Sequence, residues 1–283
     1  MSDRTGERIS WQTVDGLRIR VSLTGDHTST LRPPLLLCNG IGAALEAWVP
    51  VRAALGDHPT IAFDAPGVGS SSLPLRPPSM ARVADTVTGM LDGLGVDTVD
   101  VLGVSWGGAL AQSIAHRHPE RVRRLVLCAT AAGLLMVPAG PRILRRLAGP
   151  RRFSSPSYLA RMAPVLYGPD VINEHDGRLE PLIHFEMPPS RRGYLYQVLA
   201  LRNFASGLWL RSIGQPTLVL RGDCDPIIPA LNGRILAGLI PNARLETVHG
   251  AGHLFLFTRS DISCRLISEF LGPHLIAVEN GCE

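Results

Sequence analysis

The chain has 283 residues, 45% of them hydrophobic and 18% charged, which excludes an intrinsically disordered protein and allows a large core without disulfides or metals. The formal net charge of +4 is too small for this length to predict nucleic-acid binding. All 28 cationic residues are arginine, which excludes a Walker-type phosphate loop and any Schiff base to a lysine.

Short apolar runs separated by turns predict eight β-strands. The first two flank the turn dipeptide Asp15-Gly16 and are expected to pair as a hairpin. The later strands are largely apolar and alternate with helical patterns, which is typical of a parallel sheet covered on both faces. The predicted strands are residues 9–14, 17–23, 35–38, 60–63, 98–104, 124–129, 216–221 and 243–248. The predicted helices between them are residues 45–55, 79–94, 106–118, 230–239 and 261–271.

The alternation breaks between residues 134 and 211, where no apolar strand pattern occurs. This segment holds 11 of the 28 arginines and 5 of the 24 acidic residues, so its net charge is +6, whereas the remainder carries −2. A structureless loop of this length would be unusual in a compact domain, so we predict helices at 142–147, 157–166 and 191–204. We therefore expect an α/β core of residues 1–133 and 212–283, and an inserted helical lid of residues 134–211.

The sequence Gly103-Val104-Ser105-Trp106-Gly107 fits the pattern G-x-S-x-G, after a predicted strand and before a predicted helix. In that setting the serine occupies a sharp, strained turn, and the flanking glycines avoid clashes with it. The hydroxyl is thereby exposed above the edge of the sheet. Ser105 is therefore the predicted nucleophile, the alternative being an incidental serine in a glycine turn that serves packing.

A serine nucleophile needs a base to take its proton and an acid to orient that base. With this motif the acid, and then the histidine, follow the serine along the chain. Two acids follow the seventh predicted strand, and we favour Asp225 because Asp223 suits a hydrogen bond within the turn. Two histidines follow the eighth, and we favour His253, whose glycine-rich turn lets it approach Ser105, over His249 at the strand end.

Ester hydrolysis also needs two N–H donors for an oxyanion. The backbone N–H of Trp106, directly after the nucleophile, is one of them. The other is expected from the loop after the third strand, Asn39-Gly40-Ile41-Gly42, where two glycines permit close approach and the Ile41 N–H is the natural donor.

No cofactor or metal is expected. The sequence has no complete G-x-G-x-x-G fingerprint, and its five cysteines form no C-x-x-C pair. The odd number of isolated cysteines also argues against a disulfide framework and favours a reducing, cytoplasmic setting.

Taken together, these motifs resemble the α/β-hydrolase family over nearly the whole chain, with residues 134–211 in the place of its lid. Within the family the chain is most similar to the intracellular medium-chain-length polyhydroxyalkanoate depolymerases of bacteria. The likeness rests on the sequences NGIGA, GVSWGGALAQ, ATAAG and GHLFL at residues 39–43, 103–112, 129–133 and 252–256. It implies a Ser105–Asp225–His253 triad that hydrolyses the ester bonds of a storage polyester without a cofactor.

Three alternatives remain open. A small-molecule carboxylesterase or lactonase would use the same triad. A 3-hydroxyacyl transferase or thioesterase is disfavoured because family transacylases often carry His-x4-Asp, which this sequence lacks. A non-catalytic granule-surface protein would not need the complete triad.

Five arginines lie within eleven residues of the predicted lid, at positions 142, 145, 146, 151 and 152. They predict either a solvated helix face or peripheral adsorption to an anionic granule or lipid surface. In the second case the apolar lid residues would meet the polymer.

Overall fold

The computed structural model describes residues 6–28, 32–147, 156–173 and 190–272. Its centre is an eight-stranded sheet with the order β1-β2-β4-β3-β5-β6-β7-β8. All eight predicted strands are present, each within two residues of its predicted ends. They are β1 (Arg8–Val14), β2 (Leu17–Thr24), β3 (Leu35–Cys38), β4 (Thr60–Phe63), β5 (Val99–Val104), β6 (Val122–Cys128), β7 (Thr217–Gly222) and β8 (Ala243–Val248).

The sheet begins antiparallel and continues parallel. β1 and β2 form a hairpin whose two turn residues, Asp15 and Gly16, have φ angles of 49° and 77°. Positive φ at both positions is the type I′ turn, whose twist matches that of the flanking strands. β2 is antiparallel to β4, and every later pairing is parallel. The predicted fold class, a mostly parallel α/β sheet, is confirmed.

Helices cover both faces of the sheet, as the apolar strands require. Along β5, Val99 and Val101 join one buried cluster, and Leu102 and Val104 join the other, because successive side chains of a strand point to opposite faces. The helices are α1 (Val49–Leu55), α2 (Met80–Gly93), α3 (Trp106–Arg117), α4 (Pro141–Leu147), α5 (Pro156–Tyr167), α6 (Asp170–Asn173), α7 (Arg191–Arg202), α8 (Leu231–Leu239), α9 (Phe255–Thr258) and α10 (Ser260–Leu271). The first cluster packs against α2, α3 and α8, and the second against α1, α9 and α10.

Two details differ from the sequence prediction. The single helix predicted at 45–55 is wrong, because Leu45–Trp48 forms a 3₁₀ turn and α1 begins only at Val49. Pro50 accounts for the break, since it has no N–H to donate and fits only in the first turn of a helix. The short helices α6 and α9 were not predicted, because four residues carry too little periodicity to be recognised.

Within the described parts of residues 134–211 the chain forms helices and 3₁₀ turns, and no strand occurs there. The end of this segment is not peripheral: Ala200, Phe204 and Leu210 are buried in the same cluster as α3. The lid boundaries at 134 and 211 therefore stay a prediction. None of the described helices has both the length and the apolar character that a membrane crossing requires.

Candidate active site

Ser105 forms the sharp connection between β5, which ends at Val104, and α3, which begins at Trp106. Its φ angle of 54° lies in the left-handed region that residues with a side chain seldom adopt. Hydrogen bonds to the end of β6 and the residues after it help to hold this strained turn: the Ser105 N–H donates to the carbonyl of Cys128 at 2.9 Å, and the Thr130 hydroxyl donates to the carbonyl of Ser105 at 2.8 Å. The serine side chain is partly exposed, so a substrate can reach it.

Two glycines make room for the turn. A Cβ at Gly103 would overlap the carbonyl oxygen of Gly107, and a Cβ at Gly107 would overlap that of Cys38. β5, α3 and the end of β3 therefore approach more closely than residues with side chains would allow.

Replacement of Gly107 by alanine should lower the free energy of unfolding by about 3 kcal/mol, because the added methyl must push backbone apart in a packed core. Urea unfolding curves, compared through their midpoints at constant slope, measure this loss. The control is Gly238→Ala on α8, where a Cβ meets open space and should stabilise the helix by roughly 0.5–1 kcal/mol. A Gly107→Ala protein as stable as the wild type would contradict the close approach.

The structure brings Ser105, His253 and Asp225 together in one hydrogen-bonded line. Ser105 Oγ lies 3.1 Å from Nε2 of His253, and Nδ1 of His253 lies 2.8 Å from Oδ2 of Asp225. The other carboxylate oxygen, Oδ1, accepts the backbone N–H groups of Ile227 and Ile228 at 2.8 and 2.9 Å. Since a carboxylate oxygen accepts, Nδ1 carries the imidazole proton and Nε2 is left to accept from the serine hydroxyl. The arrangement can take a proton from Ser105 and return it.

The loop that carries His253 is fastened by residues that sequence reasoning missed. The His253 N–H donates to the carbonyl of Tyr167 at 2.6 Å, and the Gly252 N–H donates to Oδ1 of Asp170 at 2.8 Å. Asp170 is almost completely buried, and its Oδ2 accepts the hydroxyl of Thr258 at 2.5 Å. No motif in the sequence marks Tyr167 or Asp170, because the residues to which they hydrogen-bond lie more than 80 positions away along the chain.

The competing acid and histidine pair with each other instead. Nδ1 of His249 lies 2.9 Å from Oδ2 of Asp223, and the N–H of Gly250 donates to Oδ1 of Asp223 at 2.7 Å. The hydrogen bond from His249 holds the pKa of the Asp223 carboxyl below its usual value. The His249 side chain is 84% exposed, so this pair lies at the surface of the turn, whereas His253 and Asp225 are buried.

The loop after β3 lies beside the serine, as an oxyanion site requires. A Cβ built at Gly40 would stand 3.9 Å from the Cβ of Ser105, which is van der Waals contact, so the two residues are neighbours in space. Trp106 is the first residue of α3, where backbone N–H groups have no partner within the helix and the helix dipole favours an anion. The Ile41 and Trp106 N–H groups stay our predicted donors.

Buried polar contacts hold this loop in shape. The side-chain amide of Asn39 donates to the carbonyl of Ala44 at 2.6 Å. Asp64 accepts the N–H groups of Leu45 and Ser70, both at 2.9 Å. Burial raises the pKa of the Asp64 carboxyl, and these two donors oppose that rise. The buried side chains of Asn39 and Asp64 thus hold the backbone of the loop that carries the Ile41 N–H.

Comparison with known proteins shows the family of the chain. A family profile described as the alpha/beta hydrolase fold matches residues 33–165 and 189–260. The chain belongs to this family. In the α/β-hydrolase fold, the chain order serine, acid, histidine found here is the expected one.

One relative found by sequence and two solved structures are informative. The poly(3-hydroxyalkanoate) depolymerase of Ectopseudomonas oleovorans is 46% identical over 245 residues, which cover 84% of each chain. A solved hydrolase from Pseudomonas aeruginosa PA01 is 30% identical with a TM-score of 0.78, covering 94% of this chain and 99% of its own. The enol-lactonase of Burkholderia xenovorans LB400 is 25% identical with a TM-score of 0.77, covering 93% and 100%. The predicted family and enzyme class, a hydrolase of the esterase type, are confirmed.

Among the described residues, no three His, Cys, Asp or Glu side chains are grouped so that they could hold a metal ion.

Proposed function

We propose that this chain is a serine hydrolase that cleaves the ester bonds of an aliphatic polyester, poly(3-hydroxyalkanoate). The observation that supports the chemistry is the line of hydrogen bonds from Ser105 through His253 to Asp225, in which His253 and Asp225 are both buried. The relative that supports the substrate is the depolymerase of Ectopseudomonas oleovorans, at 46% identity.

The reaction proceeds in two stages at this site. His253, oriented by Asp225, takes the proton of Ser105 as its oxygen attacks the ester carbonyl, and the resulting oxyanion lies against the N–H groups of Ile41 and Trp106. Collapse of this intermediate breaks the ester bond, and His253 gives its proton to the departing alcohol. A water molecule, deprotonated by His253, then attacks the carbonyl of the hydroxyacyl ester on Ser105. Collapse of this second intermediate breaks the bond to Ser105 Oγ, His253 returns its proton to that oxygen, and a hydroxy acid or a short oligomer is released. No cofactor takes part.

The test is turnover on emulsions of medium-chain and short-chain polyhydroxyalkanoate, beside p-nitrophenyl esters of matched acyl length. We expect release of hydroxyalkanoate from at least one polymer. Hydrolysis of the small esters with no release from any polymer would overturn the polyester proposal. That result would favour the small-ester or lactone hydrolase to which the match with the enol-lactonase points.

We further propose that the enzyme acts in the cytoplasm, adsorbed to the granule through its lid. Arg142 and Arg145 on α4 are exposed, and so are the apolar side chains of Leu134, Leu135 and Leu208. Exposed apolar residues and exposed cations within one segment suit a polyester surface with an anionic coat. Arg151 and Arg152, the other end of the predicted basic cluster, lie outside the described residues.

Neutralising Arg142 and Arg145 together as glutamines should weaken binding to anionic granules, measured by co-sedimentation, by about 30-fold at low salt, because each basic residue near an anionic surface contributes about 1 kcal/mol. The effect should fade toward physiological salt, where screening acts beyond about 8–10 Å. Turnover of a p-nitrophenyl ester should not change. The matched control neutralises Arg244 and Arg265, exposed on β8 and α10. Equal binding by the two double variants would leave α4 as an ordinary solvated helix.

A further inference from the structure

A buried glutamine on α7 contacts both segments that carry the predicted oxyanion donors. Oε1 of Gln197 accepts the backbone N–H of Gly42 at 2.8 Å, one peptide beyond the Ile41 donor. The backbone carbonyl of Gln197 accepts the indole Nε1–H of Trp106, the other donor residue, at 3.0 Å. Gln197 is only 4% exposed and lies 155 and 91 positions from these two partners.

The helix that carries Gln197 is seated closely enough to hold it in place. Ser190 caps α7 by accepting the N–H of Gly193 at 2.9 Å, and a Cβ at Gly193 would overlap the carbonyl oxygen of Gly67. The buried residues Gly193, Tyr196, Gln197 and Ala200 recur at the spacing of one helical face. One face of α7 therefore lies against the core, with the Gln197 amide aimed at the loop after β3.

We propose that Gln197 is a positioning residue for the oxyanion hole; the inference rests on the proposed ester hydrolysis. The Ile41 N–H lies between two glycines, Gly40 and Gly42, and Gly42 has a φ angle of 76°, so this stretch of backbone has little stiffness of its own. The hydrogen bond from Gly42 to Gln197 fixes the neighbouring peptide plane and so the direction of the Ile41 N–H. Stabilisation of an oxyanion depends on donors that are already aimed before charge develops.

The consequence is that α7, from the predicted lid, completes the catalytic centre rather than only covering it. Gln197 does not touch the substrate in this scheme. Its side chain acts through Gly42, so loss of that side chain should weaken transition-state binding while leaving ground-state binding almost intact.

The experiment compares Gln197→Met and Gln197→Asn with the wild type on a soluble p-nitrophenyl ester. Methionine keeps the length and removes the acceptor; asparagine keeps the amide and is one methylene too short to reach Gly42. Both retain the backbone carbonyl that binds Trp106. The matched control is Gln215→Met, because Gln215 is also a buried glutamine with two side-chain hydrogen bonds, at 3.1 and 3.2 Å, to backbone outside the site.

We expect kcat to fall about 10- to 50-fold in both Gln197 variants, less than the 10²–10³ for removing a donor itself, with KM within about twofold. The inhibition constant of a trifluoromethyl ketone, whose adduct with Ser105 carries an oxyanion, should rise by the same factor. Gln215→Met should lower the melting temperature and leave both constants unchanged.

Unchanged kcat and inhibition in Gln197→Met and Gln197→Asn would overturn the proposal. So would losses that Gln215→Met shares in equal measure, or a failure of both Gln197 variants to fold, because the glutamine would then serve the fold alone. The substrate is a small ester, so a wild type that hydrolyses it and no polymer refutes the polyester function and leaves the Gln197 comparison intact.

Discussion

Replacement of Ser105 by alanine should lower kcat on any ester substrate by about 10⁴-fold or more, because the members of a catalytic triad act as a unit. The alanine lacks the oxygen that lies 3.1 Å from Nε2 of His253. The substrate still binds, so KM should change little. Initial rates on a p-nitrophenyl ester, with active-site titration of the wild type, measure the loss.

A serine-directed fluorophosphonate should label the wild type once, at Ser105, and should not label the Ser105→Ala protein. Ser263→Ala is the matched control, because Ser263 is a buried serine with a hydrogen bond to Phe255 outside the site. It should keep full activity and full labelling. More than a few per cent of wild-type activity in Ser105→Ala would show that another residue is the nucleophile.

Replacement of Asp225 by asparagine should cost about 10⁴-fold in kcat at neutral pH, and the geometry gives the reason. Oδ1 accepts two backbone N–H groups, from Ile227 and Ile228, so the amide oxygen of an asparagine must take that place. Its NH₂ group then faces Nδ1 of His253. The imidazole must accept there, which puts its proton on Nε2 and leaves no lone pair for the hydroxyl of Ser105.

Asp223→Asn is the matched control, two positions away on the same loop. It disturbs the contacts with His249 and Gly250 at the surface, so it should cost at most about 1 kcal/mol of stability and less than threefold in kcat. The two variants are compared by kcat and by urea unfolding. A larger loss of kcat in Asp223→Asn than in Asp225→Asn would mean that the acid is Asp223.

Much of the fold was predictable because its signals are local. The eight strands are short runs of apolar residues, and the Asp15-Gly16 turn dictates its own hairpin. The continuous helix predicted at 45–55 is interrupted for an equally local reason, because Pro50 fits only in the first turn of a helix and α1 therefore begins at Val49. In both cases the deciding forces act between residues a few positions apart.

In the candidate site too, the residues that a local motif marks could be predicted, and the pairings that depend on the fold could not. G-x-S-x-G singles out Ser105, because only a glycine-flanked serine tolerates this turn, and chain order limits the acid and the base to two candidates each. The sequence could not show that Asp223 is engaged by His249, since that pair spans 26 residues and depends on how β7 and β8 lie side by side.

The family, the strands of the sheet and the candidate catalytic residues can be predicted from the amino-acid sequence, because backbone conformation and hydrophobic periodicity depend on neighbouring positions. The residues that hold the catalytic groups in place emerge only from the folded chain. Asp170 reaches the His253 loop across 82 positions, and Gln197 reaches Gly42 across 155. Such hydrogen bonds form only after the sheet, α6 and α7 have packed together, and burial then makes each of them costly to lose. No local pattern encodes a partner that the fold alone brings near.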